Sequence, residues 1–507
     1  MISEVIQKLI EQTIAVCNSW LQKSEDGLLR FVDPNDGEEI SAHYGAAHAA
    51  AAFIIWGKQT GNGTLYQQGL ELLQSILNRW NKSKALPAFH FDFNNLAISM
   101  VEPLVDKETA AHIREIICKT DDSHHDTINW LPMRWAVNRK RIEWTTGDKK
   151  YETIISRCKK IISKATNSDG GIEDRLPYGL SFNLQYDVAT VAVLQYLRVQ
   201  GEQIDLSKEL GFLLSAVSPD GDINYQGRGT NQIFAWGLWV YILASSGQFS
   251  ALKVALDYLG HRLPKMLASH NLMLNDWDGK DKYLWWDYHY ASVYTAHCLL
   301  WLVLAYINKD KAHISPIAPK SIITGLHVHR TENCFVSWFE GRTEYLAERG
   351  PAIAAIWTKR QGMICKGTFG PWQSPFGNKY IYEDVVLKNF CGLLEVKRNK
   401  DWSKNRYAHK LMPNLYKKEV SCTLKPIFCP IRVSQNADLL EITWSSNGKS
   451  EIIFNLPSMS ENCTIRLYAD GKEIPLYCNS AIKNQYGLMY VHQSRCIKAK
   501  TIKILVK

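Results

Sequence analysis

The spacing of apolar residues changes character near residue 308. Before that point they recur at helical intervals, which predicts helices over 3–20, 42–58, 63–80, 90–104, 107–118, 126–146, 149–164, 186–200, 229–246, 249–262 and 286–307. The Ala-rich run Gly45–Trp56 and the run Ala291–Tyr306 are the most apolar of these. Gly, Asn and Asp mark the short connections, as in Gly61-Asn62-Gly63 and Thr146-Gly147-Asp148. Helices of similar length, joined alternately by short turns and longer irregular loops, predict stacked hairpins closing into a ring. An open solenoid would show a fixed repeat period, and none is found.

Residues 309–320 carry Pro316 and Pro319 and no period, so they read as a linker. Beyond them the pattern shortens to strands: Cys334–Phe339, Ala352–Thr358, Tyr380–Val386, Gly392–Val396, Ile431–Val433, Leu439–Trp444, Ser450–Phe454, Thr464–Tyr468, Leu488–Val491 and Ile502–Val506. In–out alternation is clear in Leu440-Glu441-Ile442-Thr443-Trp444. The expected fold is multidomain α and β. An (α/α) toroid or incomplete barrel is expected over 1–308 and, after the linker, an antiparallel β-sandwich over 321–507.

Composition narrows the class. With 507 residues, 46% hydrophobic and 21% charged, the chain has ample material for large cores and the balance of a soluble protein. No apolar run reaches the roughly 18 residues of a membrane span, so no membrane insertion is expected. The N-terminus reads as an amphipathic helix, Glu4 and Glu11 interrupting any signal-like core. A cytoplasmic location is expected for the chain as it stands, and a periplasmic or secreted one if a leader preceded it. The 12 cysteines form no CxxC pair and have no His partners at zinc spacing, so they read as reduced thiols. A net charge of +9 favours an anionic partner. The 17 Trp and 23 Tyr offer faces for sugars or bases, yet no nucleic-acid-binding motif accompanies them. P-loop, GxSxG, GxGxxG and HExxH patterns are also missing, which removes nucleotide hydrolysis, α/β-hydrolase and zincin chemistry.

The richest stretch runs from Ser168 to Val199. Asp169, Gly170, Gly171 and Pro177 predict a loop; Tyr178, Ser181, Asn183, Gln185 and Tyr186 follow, then an apolar helix with Val188, Val191, Leu194 and Leu197 at near-helical spacing. Polar and aromatic side chains thus stand at a helix mouth. The stretch 218–232 repeats this layout, with Tyr225, Arg228 between two glycines, and Asn231 ahead of a helix containing Trp236. Asn129 lies near another helix start, with Pro132 and Arg134 in the first turns and His124 and His125 upstream; it reads equally as a cap or as an amide aimed into a cleft. Trp286, Tyr288, His289, Tyr290 and Tyr294 crowd a fourth helix start. His327 and His329 share one face of a strand, available for metal or for a cleft.

A helical ring followed by a β-sandwich, with Asn129 on one loop and Asp-Gly…Phe-Asn-Leu-Gln-Tyr on a later one, resembles the polysaccharide lyases of the heparinase II/III and alginate lyase type. In those enzymes an Asn on a toroid helix precedes a catalytic Tyr by a similar interval, here the 57 positions from 129 to 186. Two departures stand out. Trp130 occupies the position after the Asn, where these families often carry His. The histidine-rich signature at the start of their β domain is reduced to His327 and His329. The resemblance implies a catalytic domain in the toroid and β-elimination on a uronic-acid-containing glycan; no cofactor is expected, and no residue is assigned to a metal. Tyr186 would be base and acid, with His289 or Tyr290 in reserve, and Asn129, Asn183 and Arg228 would neutralise the substrate carboxylate. Arg134, Gln185, Tyr225 and Asn231 would hold substrate, with Trp236 and Trp286 as stacking faces. Two alternatives remain open on the residues alone. One is a glycoside hydrolase using paired carboxylates from Asp92, Glu173, Asp174, Asp222 and Asp287. The other is a non-catalytic protein that binds acidic glycans.

Overall fold

The computed structural model describes residues 2–35, 37–82, 90–120, 127–173, 183–227, 230–269, 290–339, 352–367, 390–398, 422–427, 430–436, 439–462, 464–484 and 486–506. Two compact units result. One holds Met1–Gly325 with Tyr486 and Gly487, and the other holds Leu326–Asn484 and Leu488–Lys507.

Among the described residues, the first unit's regular elements are helices apart from the short hairpin β1 (Leu21–Lys23) and β2 (Leu29–Phe31). Its helices are α1 (Ile2–Ser19), α2 (Gly45–Thr60), α3 (Gly63–Lys82), α4 (Phe91–Val101), α5 (Lys107–Lys119) and α6 (Leu131–Trp144). They continue with α7 (Lys149–Ala165), α8 (Leu184–Val199), α9 (Ser207–Ala216), α10 (Phe234–Ser245), α11 (Phe249–Ser269) and α12 (Ala291–Ile307). The even-numbered helices pack in succession, α2 on α4, α4 on α6, α6 on α8, α8 on α10 and α10 on α12, and α12 returns to α2. The ring is closed. The odd-numbered helices lie outside it, α3 against α2, α7 against α6, α9 against α8, α11 against α10, and α1 against α11 and α12.

Burial follows from this arrangement. An outer helix hides one stripe: Ile6, Leu9, Ile10, Thr13 and Cys17 in α1, and Tyr151, Ile155, Cys158, Ile162 and Ala165 in α7. Inner helices touch neighbours on every side, and all residues of α4 and α10 are buried. Closure at α12 depends on small residues. A Cβ on Gly45 of α2 would come within 2.8 Å of the Val293 backbone, and one on Gly237 of α10 within 2.4 Å of the Cys298 carbonyl oxygen. Asp33, fully buried, adds a clasp: its Oδ2 accepts the Ser292 N–H and Oγ–H, each at 2.7 Å, at the first turn of α12.

Residues 309–320, expected as a linker, belong to the helical unit. Asp310, Ala312 and Ile314 donate their N–H groups to Ala244, Ser245 and Ser246 at the end of α10. Gln195 and Gln248 bond the carbonyls of Ala312 and Ile314.

The second unit is antiparallel. Its strands are β3 (Leu326–Arg330), β4 (Cys334–Phe339), β5 (Ala352–Thr358), β6 (Gly362–Lys366), β7 (Gly392–Arg398), β8 (Cys422–Pro426) and β9 (Ile431–Asn436). They continue as β10 (Leu439–Ser445), β11 (Ile452–Ser458), β12 (Ile465–Ala469), β13 (Lys472–Ile474), β14 (Leu476–Asn484), β15 (Gly487–Ser494) and β16 (Thr501–Val506). They form sheets β13-β12-β16-β10-β9, β14-β15-β11-β7-β8 and β3-β4-β5-β6. Leu440, Ile442 and Trp444 of β10 face the same apolar cluster as Leu393, Phe454, Ile353 and Val336 from the other two sheets. The period of two read from the sequence is what makes one side of each strand core. His327 and His329 take the side of β3 opposite the buried Leu326 and Val328, and the His327 ring stacks on Trp338 at 5.1 Å. The strand expected over Tyr380–Val386 lies outside the described residues.

Because the Gly237 contact is with backbone, Gly237→Ala forces α10 away from α12. It should lower stability by about 1–3 kcal/mol, read as a fall in the thermal midpoint, and Gly260→Ala, which meets nothing within 4 Å, should not.

Candidate functional site

The N-terminal ends of the inner helices converge. Tyr44 precedes α2, His90 precedes α4, the 3-10 turn Ile128–Trp130 leads into α6, and Tyr290 precedes α12. Their rings touch. His43 stacks on His90 at 4.2 Å and meets Tyr290 at 4.9 Å, Tyr44 lies over Phe93 at 4.3 Å, and Trp130 meets His90 at 5.6 Å. Phe234, first residue of α10, stacks on His297 of α12 at 4.4 Å, and His297 in turn lies 5.6 Å from Tyr44. At α8 the cap is Asn183, whose Oδ1 accepts the Gln185 N–H at 3.1 Å. Tyr186 follows it, half-buried and electrically coupled to Tyr44. Helix N-termini carry partial positive charge and unsatisfied N–H groups, so such a meeting point favours an anion.

Asn129 sits in the 3-10 turn, which packs on α8, so the amide and Tyr186 occupy adjoining elements. The cap position of that turn is Thr127, and the Asn129 Oδ1 is buried with no hydrogen-bond partner among the described residues. The sequence left open whether Asn129 caps a helix, and its side chain does not.

Several other expected residues are committed to the fold. Arg134, expected to hold a polyanion, is 3% exposed and paired with Asp92 of α4, its NH2 2.9 Å from Oδ2. That pairing neutralises its charge within the protein. Trp236, expected as a stacking face, is fully buried and lies flat on Tyr258 at 4.6 Å, because α10 is enclosed on all sides. Tyr225 is likewise buried, and its hydroxyl donates to the Ala216 carbonyl at 2.7 Å. Arg228, His289, Trp286, His124 and His125, and the carboxylates Asp174 and Asp287, lie outside the described residues.

Residues 217–227 and 230–233 form the polar wall beside α8. Gly227, with φ +93°, lets the loop approach Asn183 so closely that a Cβ would stand 2.8 Å from its side-chain carbon. Asn224 Nδ2 reaches the Gln232 carbonyl at 3.1 Å and Gln185 Oε1 at 3.5 Å, and Asn231, at φ +57°, donates its N–H to the Asn224 carbonyl. Asp222 anchors the wall. It accepts the Asn224 N–H at 2.7 Å, the Tyr258 hydroxyl at 3.2 Å and the Tyr486 hydroxyl at 2.7 Å. Tyr486 escaped sequence reasoning because 264 positions separate it from Asp222. Tyr44, His48, His90 and His297 were missed as well; Tyr44 and His90 cap their helices, but His48 and His297 lie inside α2 and α12, where no local pattern marks them.

The interior of the site is electrically quiet. Burial pushes His90 down to about 4 and His48 to about 3, opposed in part by bonds to the Ala42 and Phe93 carbonyls. Burial, with repulsion from His48, holds His297 well below the ordinary histidine range. Burial raises the Tyr44 phenol well above the usual tyrosine value, and the neighbouring Tyr186 adds to that. No cluster of three or more His, Cys, Asp or Glu side chains suited to a metal occurs among the described residues. Nor is any described helix long and apolar enough to cross a membrane.

No family model and no curated protein matches the chain. Among solved structures, an inactive alpha-1,6-mannanase variant from Salegentibacter sp. HEL1_6, in complex with alpha-1,6-mannotriose, is similar at 14% identity. The match covers 60% of this chain and 99% of that one, with a TM-score of 0.40. A protein described as a polysaccharide lyase matches at 12% identity over 59% and 96%, TM-score 0.39. A possible GH105 member from Salmonella enterica serovar Paratyphi A matches at 9% over 59% and 94%, TM-score 0.28. Likeness this distant does not bear on activity, which has to be argued from the side chains.

Two outcomes follow from the buried groups. Asp92→Ala leaves the Arg134 guanidinium without its counter-ion and should cost about 3–5 kcal/mol in denaturant unfolding. The histidines set an acid limit. Their folded pKa values lie below the ordinary 6.5, so the unfolded chain takes up protons first as pH falls. Stability is therefore complete above pH 6.5 and declines toward pH 4 by about 1.4 kcal/mol per unit for each such histidine. Thermal midpoints across that window should fall with acid, and His90→Gln should flatten the slope.

Proposed function

We propose that the chain is a glycan-processing enzyme that cleaves a uronic-acid-containing polysaccharide or oligosaccharide by β-elimination. The observation that carries this reading is the meeting of inner-helix N-termini around a half-buried phenol, Tyr186, and a buried amide, Asn129, beside histidines held neutral. Elimination removes the proton α to the uronate carboxylate, forms a C=C bond and expels the 4-O-linked sugar. Its barrier is the negative charge that builds on the carboxylate as the proton leaves. Amide donors and helix N-termini answer that charge without an ionised neighbour. Tyr186 takes the carbon-bound proton as phenolate and returns a proton to the departing oxygen. The free tyrosine pKa of about 10 requires that the phenolate be favoured locally, and the same partial positive charge favours it. Asn183 and Gln185 belong to the wall that orients the sugar, and Tyr290 stands across the mouth.

Hydrolysis by paired carboxylates has less support among the described residues. Asp92 is paired with Arg134, Asp222 is held by Tyr258 and Tyr486, and burial raises Asp187 well above the carboxylate range.

A panel of uronate-containing glycans, followed by near-ultraviolet absorbance of the new C=C, tests the reading. Tyr186→Phe should reduce kcat/KM by at least about 100-fold with the fold intact, and Asn129→Ala by about 100- to 1,000-fold. New reducing ends without absorbance would mean a hydrolase. Undiminished rates in Tyr186→Phe would reject the assignment.

A further inference from the structure

Beside the convergence of helix ends lies a pocket of about 240 Å³ lined by Glu39, Ser41, His43, Arg79, Trp80 and Asn94 among others. His43 belongs to both places, since the same ring stacks on His90 and meets Tyr290. The walls are fixed. Arg79 of α3 is hydrogen-bonded and ion-paired to Glu39 Oε2. Asn94 of α4 is buried and donates to the His90 carbonyl at 3.1 Å. The segment leading to Glu39 is tied down at Asp33 by the clasp to Ser292.

One atom in this pocket is unexplained. Glu39 Oε1 is buried and accepts no hydrogen bond among the described residues, and the Glu39 side chain is only 10% exposed. A buried carboxylate oxygen without a donor is costly, so a ligand or solvent hydroxyl has to supply one. The chemistry of the walls narrows the ligand. Trp80, partly exposed, gives an aromatic face, while Arg79 donates and Glu39 accepts, the combination that reads neighbouring hydroxyls on a ring. The two charges cancel. A second uronate would meet the Glu39 carboxylate and find Arg79 already neutralised. The volume lies under the roughly 300–1,000 Å³ of pockets that enclose a whole small molecule, which suits one ring of a longer chain.

We infer that this pocket is a subsite for an uncharged sugar ring, stacked on Trp80 and hydrogen-bonded through its hydroxyls to Glu39 and Arg79. It rests on the eliminase reading only for the uronate expected next to it. The glycan is then a mixed one, in which a neutral sugar accompanies the acidic residue that reacts.

Saturation-transfer NMR on the full chain tests this with methyl glycosides of glucose, galactose, mannose and N-acetylglucosamine, alongside methyl glucuronide. At least one neutral glycoside should receive saturation from the protein, and methyl glucuronide should not compete with it. Trp80→Ala and Glu39→Gln should each weaken that binding at least about tenfold, with the circular dichroism spectrum unchanged. Trp80→Phe, which keeps an aromatic face, should recover part of it, and covers the case in which Trp80→Ala folds poorly. Binding by the glucuronide alone, by none of the probes, or with equal strength in Glu39→Gln overturns the proposal. The readout is binding, so failure to find an unsaturated product would sink the eliminase reading and leave this result standing.

Discussion

The structure of the helical unit depends on how α12 seats between α2 and α10. Five of the six inner contacts join helices that follow one another along the chain with a single outer helix between them. The sixth brings the first inner helix to the last and requires backbone-close approach at Gly45, while Gly237 brings α10 equally close to the other side of α12. Without that seat the inner helices would form an open curved layer, and their N-terminal ends would not share a space. His297, Tyr294 and Tyr290 come from α12 or its cap, so the same contact that closes the ring also supplies one side of the site.

That shared space has an unusual charge balance for a protein of net charge +9. Its described side chains are aromatic, amide or neutral imidazole. Two ion pairs lie nearby, Arg134 with Asp92 and Arg79 with Glu39, and Asp222 in the wall is held by the Tyr258 and Tyr486 hydroxyls. Burial prevents His48, His90 and His297 from responding to moderate acid. Among the described residues, backbone dipoles at the helix ends, whose direction is fixed by the fold, contribute to the potential in the mouth. A field built from backbone does not depend on side-chain rotamers, and it persists across a range of pH in which surface carboxylates titrate.

Much of this was legible in the chain. Apolar periodicity located most helices to within a few residues, and the turn residues bounding two apolar runs set the limits of β4 and β5 as they stand. The short α9 was not read, because Ser207–Ala216 completes fewer than three turns after a polar turn. The helix mouths at Asn129, Asn183 and Tyr290 were recognised from clustered polar and aromatic residues, a local signal. What failed was reach. Whether Trp236 faces a cleft or a neighbour depends on α10 lying inside the ring, and its uniformly apolar sequence says only that it is buried somewhere. The partner of Arg134 lies 42 positions upstream and that of Asp222 lies 264 downstream. Neither spacing follows from a helix or strand period, so no pattern along the chain points to them.

The clasp between Asp33 and Ser292 has a bearing on how the molecule comes to exist. A ribosome delivers the carboxylate 259 residues ahead of the hydroxyl and amide that satisfy it. Throughout that interval Asp33 has to stay in water, and the growing helices can stack only as an unfinished arc. Completion is thus a late, long-range event of the kind that slows folding and exposes apolar faces to other chains. For this protein the vulnerable moment falls at the end of synthesis of the helical unit, when a single helix must slide between its first and penultimate staves.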